Sequence, residues 1–398
     1  MTTPLRVGVV GLGQRAAIAQ LIAASDTDAT VAACADPAPG SAARAAALFG
    51  DGVPVFSSHG QLIASGAVDA LMVLTPDDMH ARPALDALRA GLPVFVEKPL
   101  AISVADCDEM LEVARATGTR LYVGHNLRHL PMLRAMRSLI EEGAIGAVKA
   151  VWCRHFVGHG GDYYFKDWHA DRSRTLSLLL QKGAHDLDVL HWLAGAPSER
   201  VVAVGALSVY GDPAKRRPTA RADERVGDWF DVEQWPPRDV DGLHPVVDVE
   251  DISMLTATLT NGTLVSYQQC HYTPDYWRNY TVIGDAGRLE NFGDGVTGDP
   301  CEVRVWNTRR SGYRSDADLV VRLDGATGDA HGGADAALVA EFLRFARDGG
   351  GTETSPVAAR EAVAAGVAAT QSLRGGSMPV EVSRLDEGLV SYFASGQR

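Results

Sequence analysis

At 398 residues, 46% of them hydrophobic, the chain exceeds one typical domain and holds enough apolar residues for a sizeable core, so two domains are expected. A formal charge of −13 excludes a nucleic-acid partner, which needs basic clusters to displace counterions, and no apolar run approaches the ~18 residues of a membrane span. Five cysteines, odd in number and without a CxxC pair, argue against a disulfide framework, and with no signal-peptide pattern at the N-terminus a cytoplasmic protein is expected.

Residues 5–124 alternate short apolar strands ("LRVGVV", "TVAACAD", "PVF", "DALMVLT", "LPVFVEK", "TRLYVG") with helix-period segments near 14–25, 39–50, 58–66, 77–90 and 103–117. That rhythm predicts a doubly wound parallel sheet covered on both faces, a Rossmann-type α/β domain over residues 1–124. After Gly124 come a helix around 131–142, the strand "AVKAVWCRHFV", and the segment "LLLQKGAHDLDVLHWL" at 178–193. Longer alternating strands follow, then helices at 334–348 and 356–373, so residues 125–398 read as an α+β domain with an open, mainly antiparallel sheet. "TNGT" at 260–263 predicts a hairpin with Asn-Gly in a type I′ turn. Residues 211–247, rich in Pro, Asp and Arg and without periodicity, form an irregular insertion, either a lid or a poorly ordered loop.

Strand ends carry the candidate chemistry. "VGVVGLGQRA" sets Gly11 and Gly13 at a strand-to-helix turn, where glycine permits close backbone approach to a pyrophosphate facing a helix N-terminus; Gln14 and Arg15 belong to the same turn. Asp36 ends the second strand, where a carboxylate can bind both ribose hydroxyls and repel a 2′-phosphate, favouring NAD over NADP; a helix cap is the competing role. Thr75 and Pro76 end the "ALMVLTP" strand, and Glu97, Lys98 and Pro99 end "VFVEKPL", which directs Lys98 into the cofactor crevice. In the 178–193 segment, Leu180, Ala184, Leu187, Leu190 and Ala194 make an apolar stripe, while Gln181, His185 and Asp188 share another face with Lys182 beside them.

With "GLGQRA", "TPDDMH", "EKPL", "GHNLRHLP" and "GAHDLDVLHWL" in this order, the chain resembles the Gfo/Idh/MocA family of NAD(P)-dependent sugar and cyclitol oxidoreductases. The resemblance implies that Lys98 orients the reacting hydroxyl, often after a cis peptide to Pro99, and that His185 is the catalytic acid/base. It also implies that Thr75, Pro76 and His80 line the cofactor site and that Asn126 lies near nicotinamide and substrate. Gln181 stands where family dehydrogenases often carry an aspartate; an amide orients a hydroxyl but accepts no proton near neutrality, which leaves that work to His185.

The substrate is then a small carbohydrate, with Trp168, His169, Arg172 and Tyr276 as further contacts, and Arg172, Arg174 and Lys182 available to an anionic sugar such as a uronate or sulfonate. His331 of "HGGAD" is a weaker candidate. Histidine spacing offers no metal-ligand set, so no metal is expected. The alternative activity is a redox-neutral NAD-dependent glycoside hydrolase that oxidises a sugar hydroxyl transiently, with Tyr163, Tyr164 or Tyr276 as the eliminating base; a non-catalytic sensor is a third reading. An open sheet face suggests a homodimer or homotetramer.

Overall fold

The computed structural model describes residues 3–219, 233–296, 299–325 and 333–397, so His331 and residues 220–232 of the insertion lie outside it. The first sheet is six-stranded and parallel, in spatial order Val55–Phe56, Ala29–Ala35, Leu5–Val10, Ala70–Val73, Val94–Val96 and Leu121–Val123. Its central strands are apolar on both faces because both are covered. One face packs on Gln14–Ala24 and on Ala334–Asp348, through Leu338, Val339, Phe342 and Phe345. The other packs on Ala81–Arg89, Val104–Thr117, and the C-terminal helices Pro356–Arg374 and Glu387–Ala394. The three C-terminal helices, from Ala334 onward, thus return to cover the first sheet. The segment after the glycine turn is a helix as expected, but of the tighter 3-10 kind.

The second sheet has nine strands, in order Leu319–Leu323, Cys301–Trp306, Arg288–Phe292, Trp277–Gly284, Val148–Phe156, Leu264–Cys270, Ile252–Leu259, Ser198–Ala206 and Val380–Glu381. Every pairing is antiparallel except Val148–Phe156 with Leu264–Cys270. Helices Pro131–Glu141, Gly183–Ala194 and Pro356–Arg374 cover one face. The opposite face leaves Trp152, Val204, Met254 and Leu264 exposed. No helix among the described residues is long and apolar enough to cross a membrane.

The 260–263 hairpin forms, but not through a type I′ turn. Gly262 alone has a positive φ, +81°; its N–H donates to Leu259 O (2.8 Å) and Leu259 N to Thr263 O (2.9 Å), the pattern of a type I turn closed by a glycine bulge. Asn261 keeps a negative φ, its side chain donating to Ala194 O (3.0 Å) and accepting from Thr263 N (3.1 Å).

The described ends of the 211–247 insertion pack down. Val240, Leu243 and Val247 join Val157, Tyr164, Phe165, Ala170 and Tyr210 in a separate apolar cluster. His244 N donates to Phe165 O (2.8 Å), and Arg217 Nη2 to Lys166 O (2.7 Å), tying the insertion over residues 157–170.

Candidate active site

The glycine turn meets its steric requirement. Gly11 sits at φ +89°, and a Cβ there would lie 2.9 Å from the Leu74 and Thr75 backbone. A Cβ on Gly13 would meet nothing within 4 Å, so the outer side of the turn is open to a ligand's phosphates, with Gln14 exposed beside it. Asp36 accepts from Leu12 N (2.7 Å), Ala38 N (2.8 Å) and Ser41 Oγ (3.2 Å), bracing the turn; the following helix is capped by Gly40 instead.

Arg15 is more deeply engaged than its place in the turn implied. Its Nε pairs with Glu97, and Nη1 and Nη2 reach Asp335 at 2.6 and 2.8 Å. Asp335 also accepts from Asn126 Nδ2 (2.8 Å), and Glu97 accepts from Lys98 N (2.8 Å). Asp335, over two hundred residues away in sequence, was not a candidate beforehand; its only signal was its position at the start of a helix. Half-buried Arg15 and buried Glu97 therefore form a paired shelf beside the glycine turn. His80 also turns inward, its ring nitrogens 2.9 Å from Thr75 O and 2.7 Å from Pro99 O. It braces the loop carrying Lys98 against the end of the Thr75 strand. Thr75 and Pro76 border the crevice where the strand ends.

The Lys98–Pro99 peptide is cis, as the family resemblance implied. Lys98 Nζ crosses to the second unit and donates to Gln181 O (3.3 Å). The segment 178–193 is two helices, Leu178–Gln181 and Gly183–Ala194, with the chain staying helical through Lys182. This joint places Gln181 and His185, both 5% exposed, beside the Lys98 ammonium. Burial, then the charges of Lys98, Lys182 and Arg278, hold His185 well below the usual imidazole range, which favours the neutral imidazole. Burial lowers Lys98 too, opposed by Asp77 and Glu97. Asp77, a residue sequence reasoning passed over, is buried and pushed up to about 7, chiefly by burial.

Trp168 and His169 stack at 3.8 Å, and His169 faces Tyr163 and Tyr164 at 5.3 and 5.2 Å. Burial and the Lys98 and Lys182 charges depress His169 as well, which sets it on the same crevice. Tyr276 donates to Asp294 (2.6 Å) and lies edge-on to His155. Arg172 is exposed and already paired with Asp248 at 2.9 Å. Asp188, on the same face in sequence, is held by Arg128 through two 2.7 Å bonds. Arg278, buried and 3.1 Å from Asp186, comes beside His185 from the second sheet.

Buried polar atoms in native proteins almost always find partners. Here Thr75 Oγ1, Asn126 Oδ1, His169 Nδ1, Gln181 Oε1 and His185 Nδ1 have none. They belong to strand ends and helices on either side of the Lys98–Gln181 contact, where a dinucleotide and its substrate would supply bonds; other buried atoms, among them His155 Nε2, His191 Nδ1 and His271 Nε2, are also without a partner. Together with the open glycine turn, the residues present fit a bound dinucleotide.

The comparisons agree with that geometry. Residues 5–125 match the Gfo/Idh/MocA oxidoreductase family model for the NAD-binding Rossmann fold, and residues 137–382 its C-terminal alpha/beta domain. Inositol 2-dehydrogenase of Ralstonia nicotianae is 34% identical over 196 residues, 48% of this chain and 55% of that protein. The rhizopine catabolism protein MocA of Rhizobium meliloti is 29% identical over 216 residues, 53% of this chain and 65% of that protein. The chain thus spans under two thirds of these curated relatives. Levoglucosan dehydrogenase in complex with NADH superposes with a TM-score of 0.77 at 21% identity, covering 96% of this chain and 100% of that one. GenD2 from gentamicin A biosynthesis, in complex with NAD, gives 0.73 at 20%, covering 96% and 98%. At such identities these two show a shared fold. With both of its halves matched, the chain belongs to the Gfo/Idh/MocA family of oxidoreductases and carries that family's NAD-binding Rossmann domain.

Proposed function

We propose that the protein transfers hydride between NAD and a secondary hydroxyl of a sugar, sugar derivative or cyclitol, with His185 as acid/base and Lys98 orienting the hydroxyl. The observation that carries this reading is the run of orphaned polar atoms ending at Gln181 and His185, with the Lys98 ammonium within 3.3 Å of the Gln181 carbonyl. Bound NAD supplies the hydride acceptor. Lys98 donates to the substrate oxygen and stabilises its developing negative charge. His185, neutral and without a hydrogen-bond partner among the described residues, takes the hydroxyl proton and returns it in the reverse direction. Gln181 orients the substrate through its free carbonyl oxygen, and Asn126, Trp168, His169 and Tyr276 shape the rest of the crevice.

The hydrolase alternative needs a base for elimination, and the tyrosines suit that poorly. Burial pushes Tyr163 up to about 12 and raises Tyr164 and Tyr276 as well, which disfavours a phenolate. Incubating the protein and NAD with free sugars, cyclitols and aryl glycosides separates the two. NADH accumulating at 340 nm supports the dehydrogenase; phenol release without net NADH overturns it. The exposed sheet face around Trp152 supports self-association into a homodimer or homotetramer, and a monomer in sedimentation velocity would remove that part.

A further inference from the structure

Of the basic residues near the crevice, most already have carboxylate partners. Arg172 pairs with Asp248, Arg174 with Asp78 at 2.8 Å, Lys166 with Asp162 at 2.5 Å, and Arg15 with Glu97 and Asp335. Lys182 does not. Its ammonium sits 5.7 Å from the Tyr164 ring and makes no hydrogen bond or ion pair among the described residues. It follows Gln181, the residue touched by Lys98, and precedes His185 by less than one turn, so it shares the reacting end of the crevice.

The nearby carboxylates do not answer it. Asp186 is fully buried and saturated: it accepts from Tyr267 (2.9 Å) and Tyr280 (2.5 Å), and pairs with His155 (2.9 Å) and Arg278 (3.1 Å). Asp294 is held by the Tyr276 hydroxyl and by Val296 N (3.1 Å). Tyr164, which carries the ammonium on its face, is packed edge-on against His271 at 5.1 Å and His169, so the aromatic floor is fixed. Lys182 is only partly buried, so its ammonium, met by an aromatic face alone, is accessible to an anion that would add the missing charge-assisted bond.

We propose that the substrate carries an oxyanion, a carboxylate, sulfate or phosphate, which Lys182 binds, with the Arg278 guanidinium supplying a fixed positive field behind it. The crevice then reads two groups on one molecule: the hydroxyl between Lys98 and His185, and the anion on Lys182. This deepens the oxidoreductase reading and rests on it for the position of the reacting carbon. Burial and the neighbouring cations hold Lys182 well below the usual ammonium range, and an arriving anion restores its charge.

The test is calorimetric titration of the protein–NADH complex with glucose, glucuronate, glucose 6-sulfate and glucose 6-phosphate, using the wild type, Lys182→Met and Lys182→Arg. At least one anionic sugar should bind about 10- to 100-fold more tightly than glucose, the worth of a hydrogen bond to a charged group. Lys182→Met should erase that margin and Lys182→Arg keep most of it, with NADH affinity unchanged in both as the check on folding. Which anion gains most separates the three chemistries. Glucose binding as well as every anionic sugar, or a margin that survives Lys182→Met, would overturn the proposal. Turnover of the same four sugars with NAD keeps the two readings apart. A Lys182-dependent margin without NADH from any sugar overturns the dehydrogenase reading alone, whereas NADH from glucose without a margin overturns the anion site alone.

Discussion

The Gly183–Ala194 helix carries two kinds of polar residue that sequence cannot tell apart. Asp186 and Asp188 are wholly buried and fully bonded, the first by two tyrosines, a histidine and an arginine, the second by both arms of Arg128. His185 and, two residues before the helix, Gln181 are almost as buried, yet His185 Nδ1 and Gln181 Oε1 have no partner. One turn of helix thus separates groups that hold the fold from groups that wait for a ligand. The two carboxylates are satisfied and these two groups are not, although His191 Nδ1 further along the same helix is also without a partner.

The sharpest way to break that comparison is His185→Ala. Turnover should fall about 10³-fold, within the range expected for loss of an acid/base, while unfolding free energy changes by less than about 1 kcal/mol and NADH affinity by less than about twofold. Equal losses of activity and NADH binding would move His185 to the structural side.

Asp186→Ala should behave in the opposite way. Leaving Arg278 buried without its carboxylate, and two tyrosine hydroxyls without an acceptor, should cost about 3–5 kcal/mol in a urea melt. A loss below about 1 kcal/mol would show that the network does not hold the fold.

A smaller effect sharpens the contrast through pH. His185 is depressed in the folded protein, so its basic form persists below the ordinary imidazole value of about 6.5. The acid limb of kcat/KM for hydroxyl oxidation should therefore lie below pH 6.5. The linkage has the same direction for the buried, bonded imidazoles His155, held near about 3, and His191, near about 4. Below pH 6.5 the unfolded chain binds protons that the folded one refuses, so stability falls as pH drops, by about 2 kcal/mol for each such ring at pH 5. An acid limb at or above pH 6.5, read from initial rates, would mean His185 is not the base.

Much of the cofactor end was legible because its requirements are local. A glycine at φ +89° in a strand-to-helix turn and a lysine at a parallel strand's end are consequences of period and turn chemistry within a few residues. The Asn-Gly turn shows the limit of the same logic: the hairpin was predictable, but its type followed from Asn261 reaching Ala194 across the fold. Substrate contacts were less legible still. Arg172 and Lys182 looked alike in sequence, yet one is exposed and neutralised by Asp248 while the other lies unanswered beside His185.

The sequence by itself determined the alternation of strands and helices and the glycine turn, because backbone geometry and hydrophobic period act over short spans, while Lys98 and His185 became a candidate pair through the family resemblance. Only the tertiary structure decided that Asp335 would lock Arg15 and Asn126, that Arg278 would stand behind His185, and which cations would keep a free charge. Those outcomes depend on which side chains from distant segments share a desolvated space, where each charge takes its value from its neighbours.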